Sequence, residues 1–96
     1  MESTMTREEI QAAEAKFRAA YDAANKSENA YRIAKANKFL ELSFPKDGSK
    51  KPTEAIILSM IDADPAITAL RTANMAAQAE LDVTKMVFKA MISANG

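Results

Sequence analysis

The side chains best placed to do chemistry are two carboxylates, Asp62 and Asp64, one residue apart beside Pro65. Paired carboxylates can hold a magnesium ion or divide acid and base roles between them. Here the spacing has a plainer explanation. Asp64 followed by Pro65 is a helix start signal, with Asp64 as N-cap and Pro65 in the first helical position. Asp62 is then the polar end of the preceding helix. A magnesium site would also need further carboxylates or a phosphate ligand, and the sequence specifies none. The chain contains no His and no Cys. No imidazole is present to activate a serine or threonine, and thiolate metal sites and disulfides are ruled out. Gly48-Ser49-Lys50-Lys51 lacks the second glycine of the phosphate-loop spacing G-x-x-x-x-G-K-[ST]. The expectation is a non-enzymatic protein with no catalytic residues, no metal site and no cofactor.

A second constellation combines cations with rings: Tyr31, Arg32, Lys35, Lys38 and Phe39, followed by Lys50 and Lys51. Arg32, Lys35 and Phe39 are three and four residues apart, which places them on one helix face. Cations that track phosphates beside rings that stack on bases are what a single-strand nucleic-acid binder uses. The overall balance argues against a strong binder. Thirteen Lys+Arg match thirteen Asp+Glu, and the pI is near 6.3, whereas nucleic-acid-binding domains are usually strongly basic. The neutral total conceals blocks. Residues 26–51 are net basic, while residues 52–83 set Arg71 alone against Glu54, Asp62, Asp64, Glu80 and Asp82. The plainer reading is that these cations solvate an outer face while Tyr31 and Phe39 are core.

The elements that position these groups read as helices. Thr6-Arg7-Glu8-Glu9 is a capping box, with acidic residues suited to the positive end of the helix dipole. No Gly or Pro then occurs until Pro45, and Ala, Lys, Glu and Arg dominate. A helix of about 37 residues over about 7–43, roughly 55 Å long, follows. It is expected to continue through the polar run Asn25–Asn29, with a kink there as the alternative. Phe44-Pro45-Lys46-Asp47-Gly48-Ser49 is a loop, because Pro45 disfavours helical geometry at Phe44 and Asp47-Gly48 is a turn pair. Pro52 suits the first turn of a short helix over about 52–62. A third helix runs from Pro65 to about Ser93. The 96 residues thus predict an all-α single domain, a long antiparallel helical hairpin with a short connecting helix.

Seven-residue spacing supports a coiled-coil-like seam. Ile10, Phe17, Ala24 and Tyr31 align on the first helix, beside Ala13, Ala20, Ser27 and Ala34. Ile67, Asn74, Leu81 and Phe88 align on the third, beside Leu70, Ala77, Thr84 and Met91. Lys38 and Glu41 interrupt the first line, so the buried face is expected to shift toward Phe39, Leu40 and Leu42.

More apolar side chains are present than one seam can cover. Ile33, Leu40 and Phe44 lie off the first line, and Met75, Val83 and Met86 off the third. The short helix is apolar almost all round, which normally means burial on several sides. A two-helix domain of this size buries little of its surface. Self-association, most simply as a twofold dimer, is therefore expected, together with a protein partner. Ile56, Ile57, Met60, Ile61, Phe88 and Met91 are the expected interface. Capping of a monomeric three-helix bundle by the short helix is the alternative.

Residues Met1–Ile10 are polar and acidic, unlike a secretory signal, and no apolar run approaches the ~20 residues of a membrane span. A cytoplasmic protein with no membrane partner is expected. Tyr31-Arg32-Ile33-Ala34-Lys35, Lys51-Pro52-Thr53-Glu54-Ala55 and Asp62-Ala63-Asp64-Pro65 together resemble small helical proteins encoded by bacteriophages and prophages. Those proteins have a long helix, a K-x-T-E start to a short helix and a long return helix, and lie among replication and recombination genes. The resemblance implies a viral accessory factor acting in the host cytoplasm. Two functions stay open: protein–protein interaction, or weak single-stranded nucleic-acid binding through Arg32, Lys35, Lys38, Lys50 and Lys51.

Overall fold

A computed structural model describes residues 6–95. Three helices occur in order: α1 (Arg7–Ser43), α2 (Glu54–Ala63) and α3 (Pro65–Asn95). No strand occurs among the described residues. The chain is an all-α helical hairpin of α1 and α3 with α2 as a short connecting helix.

Helix α1 runs without a break through Asn25–Asn29. Glu28, inside that run, pairs with Arg32 one turn on at 3.0 Å, a spacing that supports helix locally. Its N-terminus is capped by Thr6, whose Oγ1 accepts from the Glu9 N–H at 3.1 Å. The return half of the capping box differs from expectation, since the Thr6 hydroxyl donates to Glu9 Oε1 at 3.2 Å. After α1, Asp47 Oδ1 accepts from the Ser49 N–H at 2.9 Å and Gly48 takes φ of 77°. That left-handed geometry is why glycine follows Asp47 there.

Helix α2 begins at Glu54, two residues later than a start at Pro52. Thr53 is the N-cap and accepts from the Ile56 N–H at 3.4 Å, so Pro52 precedes the cap instead of entering the first turn. A single residue joins α2 to α3. The Asp64 N–H donates to the Ile61 carbonyl at 3.1 Å and closes α2. Its Oδ1 accepts from the Ala66 and Ile67 N–H groups at 2.9 and 3.2 Å and opens α3. Pro65 holds Asp64 extended, with φ −71° and ψ 120°, so α2 has to stop there.

Packing divides the described residues into two compact units, residues 27–74 and residues 6–26 with 75–95. In the 27–74 unit, Ile57, Ile61 and Ile67 are buried, with Tyr31, Ala34, Phe39 and Leu42 packed against them. Full burial of one such isoleucine contributes about 1.5–3 kcal/mol. In the other unit, α1 buries only the small side chains Ala20 and Ala24. Phe17 stacks on Phe88 with ring centroids 5.6 Å apart, and Gln78 Nε2 donates to the Ala24 carbonyl at 3.4 Å. Every seam position expected from the seven-residue spacing is buried or half-buried.

The expected shift of the buried face after Tyr31 is corrected in part. Phe39 and Leu42 do pack on the core, but Leu40 is exposed. Lys38 stays on the seam, half-buried, with its ammonium 3.7 Å from Asp64 Oδ2 and 3.6 Å from Glu41. The oxygen of Asp64 not used for capping α3 gives the lysine a partner. A cation can therefore remain where the spacing calls for an apolar residue.

Candidate protein interaction surface

The residues named for an interface fall into three environments. Ile57 and Ile61 are core, 0% and 2% exposed. This corrects their assignment to a partner surface. Their face of the ten-residue α2 lies against Tyr31, Phe39 and Leu42 of α1 and Ile67 of α3, so the all-round apolar character of α2 is half consumed inside the chain. Ile56 and Met60 lie on one flank of that face, 52% and 44% exposed, and Leu58 is exposed on the opposite flank. Met60 borders an open groove of ≈ 490 Å³ walled by Leu42, Pro45 and the Lys46–Asp47 turn. Phe88 and Met91 are half-buried. They line a smaller apolar groove of ≈ 290 Å³ with Ala12, Ala13, Thr84 and Val87.

The off-seam apolar residues are exposed, as the spacing requires. Ile33 and Leu40 stand on the far side of α1 from its buried positions, and Phe44 is exposed just past its end. The far side of α3 shows the same pattern more completely. Met75 is 66% exposed, Met86 71% and Val83 57%. Ala76, Ala79 and Ala90, also exposed, fill the positions between them. Sequence reasoning had marked Met75, Val83 and Met86 only as surplus. The signal it passed over is that the alanines around them repeat with the same helical period, so an uncharged strip runs along the helix.

The cationic constellation does not converge. Arg32 is held by Glu28, Lys38 by Asp64 and Glu41, and the Lys35 ammonium lies 4.8 Å from the Tyr31 ring centroid. Lys50 and Lys51 are exposed in the loop before α2. Tyr31 and Phe39, the rings that would stack on bases, pack on the isoleucine core. The Arg71 guanidinium hydrogen-bonds the Tyr31 hydroxyl and holds its pKa below the ordinary phenol value; partial desolvation opposes this and the Lys35 charge reinforces it. Arg71 also reaches Asp62 at 3.4 Å.

The Asp-x-Asp pair is absorbed by structure. Asp62 accepts from Arg71, and its carbonyl accepts from the Thr68 hydroxyl at 3.4 Å, while Asp64 caps and pairs. Among the described residues no three acidic side chains group to hold a metal ion. None of the described helices is long and apolar enough to cross a membrane. No protein-family model, curated protein or solved structure matches the chain.

Proposed function

We propose that this protein is a non-enzymatic helical interaction module that self-associates and acts by protein–protein binding. The observation carrying this reading is the set of large apolar side chains left exposed away from the core: Ile33 and Leu40 on α1 with Phe44 just past its end, and Met75, Val83 and Met86 on α3. Scattered apolar residues need no explanation, but groups of this kind usually mark contacts. The resemblance to phage and prophage helical proteins extends the reading to a viral accessory factor in the host cytoplasm. Weak single-stranded nucleic-acid binding has less support, because the rings it needs are packed and three of its five cations are already engaged by Glu28, Tyr31, Glu41 and Asp64.

Sedimentation equilibrium across a micromolar concentration series tests the proposal. A mass above that of one chain, rising with concentration, is the expected result. A well-folded species of single-chain mass throughout would overturn it.

A further inference from the structure

Helix α3 carries two apolar lines of heptad spacing, back to back. The inner one, with Leu81, Thr84, Phe88 and Met91, faces α1, as the Phe17–Phe88 stack and the shared groove show. The outer one consists of Ala76, Ala79, Val83, Met86, Ala90 and Ser93, spaced alternately three and four residues apart. That alternation is the repeat of a coiled-coil contact line. Met75, Asp82 and Lys89 run along one edge of this outer line and Glu80, Val87 and Ala94 along the other.

Those edges decide the occupant. If a second α3 lies antiparallel on the outer line about a twofold axis, each edge runs alongside the same edge of its partner, in the opposite direction. One register brings Val83 against Met86 of the second copy, Ala79 against Ala90 and Ala76 against Ser93, in both directions at once. In that same register Asp82 falls opposite Lys89 of the second copy, and Lys89 opposite its Asp82. Within one chain the two charges are seven residues, about 10 Å, apart along the helix. Neither makes an ion pair among the described residues. A parallel pairing would set Asp82 against Val87 and Lys89 against Ala94, leaving both charges unanswered. The alanines permit approach at the close end of the usual 8–10 Å between helix axes.

We infer that the outer face of α3 is an antiparallel homodimer interface centred on Val83 and Met86, with its direction set by reciprocal Asp82–Lys89 pairs. The interface deepens the self-association proposed above and rests on it.

The test uses the full chain. Met86→Asp places a charge on an exposed helix position, so the helical circular dichroism signal should persist while the dimer dissociates. Asp82→Lys and Lys89→Asp should each weaken dimerisation roughly tenfold, and the double reversal D82K/K89D should restore it. The chain has no Cys, so engineered thiols report orientation without interference. Under oxidation Ala79→Cys combined with Ala90→Cys in one chain should give a covalent dimer, and Ala79→Cys alone should not. If the wild-type chain associates but Met86→Asp and the charge reversals leave it unchanged, this face is not the interface, although self-association stands. Ready crosslinking of the Ala79→Cys chain alone would overturn the antiparallel direction. A wild-type chain that stays single would overturn both proposals.

Discussion

Residues 27–74 and the paired segments 6–26 and 75–95 draw on the same two long helices, yet they bury different side chains. The first region closes on three isoleucines, because α2 adds a third wall against α1 and α3. The second has only two walls and fully buries nothing on α1 larger than alanine. The polar side chains of the first region are also largely answered: Lys38 by Asp64, Arg71 by Asp62 and Tyr31, Arg32 by Glu28. In the second, α3 turns an uncharged apolar strip outward. Where a third element exists, three isoleucines are enclosed, although Ile33, Leu40 and Ile56 stay exposed around them. Where it is missing, α1 encloses only two alanines, and the strip on α3 is the face that the dimer inferred above would cover.

The comparison breaks most sharply at Ile57, which has 0% exposure. Ile57→Ala should cost about 2–5 kcal/mol, read as a lower midpoint in urea unfolding, whereas Val83→Ala on the exposed strip should leave the midpoint of a dilute sample almost unchanged. A comparable loss at both sites would erase the distinction between the regions. Ala24, 1% exposed, probes the thinner region from the opposite direction. Ala24→Leu overfills a close helix approach and should destabilise by about 1–3 kcal/mol.

Smaller effects concern the polar groups. Asp64→Ala removes the α3 cap together with the partner of Lys38 and should cost about 1–2 kcal/mol. Asp64→Asn keeps a capping oxygen and loses only the charge, so it should fall between that variant and the wild type. Ser43 is 5% exposed and its hydroxyl finds no hydrogen-bond partner among the described residues. Ser43→Ala should therefore raise stability by about 1 kcal/mol, and a loss of that size would mean that the hydroxyl has a partner after all.

The smallest expected effect is a titration. Arg71 holds the folded-state pKa of Tyr31 below its ordinary value near 10. The folded state thus favours the phenolate. The added stability is complete above the unfolded value and disappears as pH falls through the lowered folded one, leaving nothing at neutral pH. Tyrosinate absorbance should show an early component that Tyr31→Phe removes and Arg71→Gln moves back toward the ordinary value.

Much of the fold is legible in the residues themselves. Helix lengths, the Thr6 and Asp64 caps and every seam position follow from period and capping chemistry, which are local. What escaped was tertiary. Ile57 and Ile61 sit on a helix apolar almost all round, which calls for burial without saying against what, and only the docking of α2 against Tyr31 and Phe39 shows them to be core of the same chain. Lys38 looks like an interruption until Asp64, 26 residues later, is brought to it. The outer strip of α3 was visible as three surplus residues but not as a repeat, because alanine is so frequent in this chain that its spacing draws no attention.

Asp64 ends one helix and begins the next with no residue to spare between them. Termination and initiation are a single event at this joint. A one-residue insertion there would divide the two tasks, leaving one residue to close α2 and another to cap α3. Ile67, the third residue of α3, would be drawn away from Ile57 and Ile61, so the length of this one connection governs how the isoleucine core closes.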